Sequence, residues 1–217
     1  MYEANLNSPS RMVAPLLDRS VLANLLAAVK ANVCRDTVLP LICYLEEHAQ
    51  VGLAKESDLF EQINDATTVI ARAFHGLNPD VSALVYGETC EATFRVMLAV
   101  AIAHISRATP ERGIYFAQHA LEVALNAKLE REARRAFNVC SSLYILTGAP
   151  ADGVEYGLAA ANLALQIDDP VSVCAALSNV AAALLNMGLY AEVIDMSDRI
   201  STAYGDTLGC TPFVAQA

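Results

Sequence analysis

Apolar residues recur along this chain at helical rather than strand spacing. Val139, Leu143 and Leu146 mark one face of a helix, and Leu177, Val180 and Leu184 mark another. Between such runs stand start and stop signals. Thr109-Pro110-Glu111 reads as an N-cap, a proline at the first helical position and an acid in the first turn. Asp169-Pro170 repeats the device, and Ala149-Pro150 repeats it with a weaker cap. Gly148 and Gly188 sit where a helix should end in a left-handed residue. These marks predict helices near 88–107, 110–127, 129–147, 150–167, 170–187 and 189–204.

The two glycines are 40 residues apart, and the chain matches itself at that offset. SRATPERGIYFAQHALEVAL (106–125) aligns with LTGAPADGVEYGLAAANLAL (146–165), so that Pro110 falls on Pro150, Gly113 on Gly153 and Ala120 on Ala160. Ala124 and Leu125 likewise fall on Ala164 and Leu165, and a further shift places Gly188 under Gly148 and Ala176 under Ala136. Small residues at Gly153, Gly157, Ala160 and Ala181 allow paired helices to approach closely.

Leu177, Val180, Ala181, Leu184, Gly188, Tyr190 and Val193 follow one another as in the tetratricopeptide repeat, which this segment resembles. A preceding copy offers Phe137, Cys140, Ser141, Tyr144, Gly148, Pro150 and Gly153, with proline in place of the aromatic. The earliest, from Val96 to Gly113, lacks the turn glycine. A period of 40 exceeds the family's usual 34 and resembles the lengthened repeats of bacterial regulatory proteins, including GGDEF diguanylate cyclases and large transcriptional activators. The resemblance covers 88–204 and implies an all-α, right-handed α-solenoid of antiparallel helix pairs. It also implies a binding groove lined by the first helix of each pair. Residues Arg95, Leu98 and Ile102 would line it in one copy, Arg135, Asn138 and Ser142 in the next, and Ala175, Ser178, Ala182 and Asn179 in the last. Arg95 and Arg135 lie one period apart, and two guanidiniums at one height suit a carboxylate or an acidic peptide. The competing reading pairs them with Glu91 and Glu132.

Residues 1–87 are less regular. Segments 18–33, 40–54 and 57–74 read as helices, bounded by Pro40, the Gly52–Ser57 stretch and Gly76-Leu77-Asn78-Pro79. They are expected to form an N-terminal cap or divergent repeats, since the end of a repeat stack needs cover. The tail 205–217, GDTLGCTPFVAQA, reads as a linker or flexible end, as if the chain were a portion of something longer.

Composition narrows the role. The net charge of −10 argues against nucleic acid, whose binding rests on neutralising phosphates. Beyond Pro150 only Arg199 is basic, while Lys128, Arg131, Arg134 and Arg135 cluster just before. No uncharged apolar run approaches the roughly 18 to 20 residues of a membrane span, and Val96–Ile105 is interrupted by His104. The start, MYEANLNSPSR, lacks the signature of a signal peptide, so the expected location is cytoplasmic. Six cysteines without a C-x-x-C pair are expected to be reduced, buried thiols.

Nucleotide-binding, zincin and hydrolase motifs are absent from the sequence. His48, His75, His104 and His119 are scattered; His104 reads as a satisfied core histidine, and Glu46-Glu47-His48 as a solvated helical face. Asp168-Asp169 reads as a capping pair. The expectation is therefore a non-catalytic interaction or sensory module with no cofactor and no metal site. Its partner would be a protein or a peptide, with an acidic one suiting the two arginines. The alternatives are a structural homodimer scaffold, or an enzyme working through His104 or Glu46–His48.

Overall fold

The computed structural model describes residues 18–52, 57–75 and 79–204; the expected tail, 205–217, lies outside them. All described elements are helices: α1 (Arg19–Ala31), α2 (Arg35–Gly52), α3 (Ser57–His75), α4 (Pro79–Tyr86), α5 (Cys90–Ser106), α6 (Pro110–Asn126), α7 (Glu130–Leu146), α8 (Pro150–Gln166), α9 (Pro170–Asn186) and α10 (Tyr190–Tyr204). The six helices expected after residue 88 agree with α5–α10 to within two residues at each end. Two features differ in the N-terminal part. Pro40 lies inside the first turns of α2, where it forgoes the bond that an N–H would have made four residues back and its ring crowds that carbonyl. Helix α4, opened by Pro79, was not anticipated; at eight residues it is too short to show a periodic face.

From α5 onward the chain is metrically regular. Helices α5 to α9 are each 17 residues long and every link is three residues, so a helix begins every 20 residues from α6. The central residue of each link is left-handed: Ala108 (φ 55°), Lys128 (56°), Gly148 (78°), Asp168 (53°) and Gly188 (75°). The same two bonds close each helix. At Gly148 they are its own N–H to the Ile145 carbonyl (3.2 Å) and the Ala149 N–H to the Tyr144 carbonyl (2.9 Å). This Schellman closure satisfies two orphan carbonyls. The following residue then starts the next helix, its carbonyl accepting from Gly113, Ala133, Gly153, Val173 or Val193 in turn. Thus the 40-residue self-match is two copies of a 20-residue unit. Only two of the five links use the residue that φ > 0 favours, so the shorter period is hidden in the sequence.

Close approach is achieved by removing side chains. A Cβ on Gly157 would stand 2.6 Å from Val180 Cγ2 and 3.1 Å from Ser141 Oγ. One on Gly153 would stand 2.8 Å from Ile145 Cγ1. Ser141, fully buried, donates its hydroxyl to the Gly153 carbonyl at 2.7 Å and pins α7 to α8. Each helix from α5 packs on its chain neighbour; in addition α5 packs on α7, and α7 on α9. Among the described residues α6 and α8 have no comparable contact, nor do α8 and α10. So α5, α7 and α9 form a continuous row. Helix α2 also packs on α5, and one apolar core runs unbroken from Leu22 to Leu143. No single described helix is long and apolar enough to cross a membrane.

Candidate functional site

Along the row α5–α7–α9 the structure brings several expected groove residues together. Asn179 on α9 donates its amide to Asn138 Oδ1 (2.9 Å) and to Ser142 Oγ (3.0 Å) on α7, joining the two helices. Ser178 is half-buried and donates its hydroxyl to the Cys174 carbonyl at 2.9 Å. Arg95 is exposed but engaged: its Nε donates to Glu46 Oε1 at 2.8 Å, and Nη1 lies 3.2 Å from Glu91 Oε2. Arg135, also exposed, lies over the Phe94 ring with its guanidinium carbon 6.0 Å from the centroid. Leu98 is buried in the core, whereas Ile102 and Ala182 are exposed.

A second constellation was not legible in the sequence. On α3, Asn64, Thr68, Arg72 and His75 recur along one face; on α6, Arg112, Tyr115, Phe116, His119 and Glu122 do the same. Six of these, Asn64, Thr68, Arg72, Arg112, Tyr115 and Phe116, line a cleft of about 330 Å³. Beside it His75 Nε2 and His119 Nδ1 stand 2.7 Å apart, and Glu122 Oε2 lies 3.2 Å from the first and 3.6 Å from the second. The Tyr86 hydroxyl on α4 donates to Glu122 Oε1 at 2.7 Å; burial and this acceptor push the phenol well above its ordinary range. Burial, then the neighbouring His75, lowers the pKa of His119, against an opposing pull from Glu122. Two histidines that read as scattered therefore meet. They are 44 residues apart, and the one available signal was His119-x-x-Glu122 on a single helical face.

The remaining candidates are structural. His104 is 1% exposed, with Nε2 donating to Asn64 Oδ1 (3.0 Å) and Nδ1 accepting from the Thr109 hydroxyl (2.8 Å). This is the satisfied core histidine expected, and it takes the hydroxyl that was expected to cap α6. Burial, reinforced by Arg112 and Arg107, lowers its pKa to about 4. His48 is buried, donates from Nδ1 to the Tyr44 carbonyl (2.7 Å) and stacks on the Tyr44 ring, so Glu46-Glu47-His48 is not wholly a solvated face. Asp169 caps α9 as expected, accepting from the Ser172 N–H at 3.1 Å. Cys140 and Cys174 are buried and not in disulfides, but Cys43 is exposed and Cys34 and Cys90 are only half-buried; Cys210 lies outside the described residues. An open, largely apolar cleft of roughly 500 Å³ lies among α8, α9 and α10, lined by Leu158, Val180, Leu184 and Met196 with Glu192 and Asp195 at its edge.

No protein-family model matches the chain, and none of the curated proteins matches it either.

Proposed function

We propose that the chain is a non-catalytic, tetratricopeptide-like interaction or sensory module of a bacterial cytosolic signalling protein such as a diguanylate cyclase. In this reading α5–α10 form a right-handed solenoid of three helix pairs, and a protein or peptide partner lies along α5, α7 and α9. The observation that carries it is the row itself: the first helices of successive pairs pack on one another while α6 and α8 do not, as a curved stack with one inner face requires. Arg135 is the cation on that face for an acidic partner, because among the described residues it lies over Phe94 and forms no ion pair, whereas Arg95 would first have to release Glu46 and Glu91. A charge-assisted bond to Arg135 would contribute on the order of 1.5 to 3 kcal/mol before ordering costs, which suits a transient complex. Affinity capture of a partner, followed by calorimetry with Arg135→Ala and Ala182→Glu, tests the groove. Loss of binding in both, and weakening of the wild-type complex by salt, is expected. Unchanged affinity in both folded variants would exclude this face.

A second reading, self-association, is favoured by a specific surface. Leu158, Tyr190 and Ile194 are 43%, 65% and 63% exposed near the cleft of α8–α10, an apolar surface that a second copy would cover. Sedimentation over a concentration series separates the two: a monomer at all concentrations leaves only the groove reading.

A further inference from the structure

We propose that His75, His119 and Glu122 form a binding site for one divalent transition ion of the zinc class, fastening the end of α3 to α6. Three potential donor atoms, His75 Nε2, His119 Nδ1 and one Glu122 oxygen, all lie within 4.8 Å of one another. A tetrahedral ion with bonds of about 2.0–2.1 Å holds its ligand atoms about 3.3 Å apart. The observed separations of 2.7, 3.2 and 3.6 Å scatter around that value, so loading requires the imidazoles to part by only about half an ångström. Two imidazoles and a carboxylate select zinc, copper, nickel or iron over calcium and magnesium, which take oxygen ligands.

The surroundings fit a built site. Tyr86 holds Glu122 by the far oxygen, Oε1, leaving Oε2 toward both rings, as an outer partner of a metal-binding carboxylate does. Phe74 and Tyr115 flank His119 edge-on at 5.7 and 4.3 Å, and Phe74 also backs His75 at 4.5 Å, which restricts both rings. His119 presents Nδ1 to His75 and Glu122, while its Nε2 is buried and makes no hydrogen bond. His75 and Glu122 remain 39% and 38% exposed, which gives an ion access and lets water complete its coordination. An ion here would join α3 and α4 to the first helix pair and stiffen the joint between the irregular and regular parts of the chain.

The test is calorimetric titration of the chelator-stripped full chain with Zn²⁺, alongside Co²⁺ as a visible-absorption probe. One saturable site is expected, with the absorption of tetrahedral cobalt and an unfolding midpoint raised by several degrees on saturation. Glu122→Gln should weaken binding at least tenfold, Tyr86→Phe about tenfold, and His75→Ala/His119→Ala should abolish it, each variant being checked for native helicity. His48→Ala should bind as wild type. Absence of saturable binding, or binding that survives in Glu122→Gln and the folded double variant and so resides on the cysteines, would overturn the site.

Discussion

The first five helices and α8 fill their interiors in opposite ways. Around α1–α5 the core is made of large side chains: Leu22, Leu41, Ile42, Leu45, Phe60, Ile63, Ile70, Leu84, Phe94 and Met97 are all essentially inaccessible. Around α8 the buried residues are Gly153, Gly157, Ala160, Ala161 and Ala164. The first region gains stability from bulk of apolar surface, and the second from close backbone approach, which depends on what is missing at fixed positions. The same chain therefore tolerates opposite errors in these two regions. Removing atoms damages the first region; adding them damages the second.

Phe94→Ala should show the largest effect. It removes a fully buried ring from the junction of α5 with its neighbours and should cost about 3–5 kcal/mol, read from denaturant unfolding. Acidification should come next, through His104 in the same region. Its folded pKa of about 4 lies below the ordinary 6.5, so between these values the unfolded chain takes up a proton that the folded chain refuses. Stability should be independent of this group above pH 6.5 and fall by roughly 3 kcal/mol as pH drops to 4. His104→Gln should flatten that part of the pH profile; an unchanged profile would remove His104 as its cause. In the second region Gly157→Val should cost about 2 kcal/mol or more, because its Cβ meets Val180 and Ser141 with no void to receive it.

The smallest effects probe the shared turn. Gly148→Ala places a Cβ at φ 78° and should cost about 1 kcal/mol, although nothing lies within 4 Å of that Cβ. Ala108→Gly, at the equivalent link with φ 55°, should instead stabilise by up to about 1 kcal/mol. Equal signs for the two substitutions would show that the links are not equivalent.

This contrast also explains what the sequence disclosed. Where packing depends on glycine, alanine and proline at fixed intervals, as at Gly148, Pro150, Gly153 and Gly188, the residue types are restricted and the period is readable. Links held by Ala108, Lys128 and Asp168 are equally regular in backbone but carry no residue signature, so half of the period stayed hidden. Large apolar side chains in α1–α4 can be satisfied by many arrangements, and α4 left no periodic trace. The candidate groove was legible in part: Asn138, Ser142 and Asn179 do meet, but Glu46, the partner of Arg95, lies 49 residues away on α2. The pairing of His75 with His119 depends on how α3 lies against α6, which no local spacing encodes.

The central proposal is that α5–α10 behave as a stack in which, apart from the contacts of α5 and α6 with the N-terminal helices, each pair leans on its neighbours. Native-state hydrogen exchange tests this most directly, since it reports the opening free energy of each helix separately. The account predicts graded protection, lowest in α10, rising through α9, α8 and α7, and highest in α5, where the large-residue core begins. Equal protection from α5 to α10, lost in one cooperative opening, would contradict it.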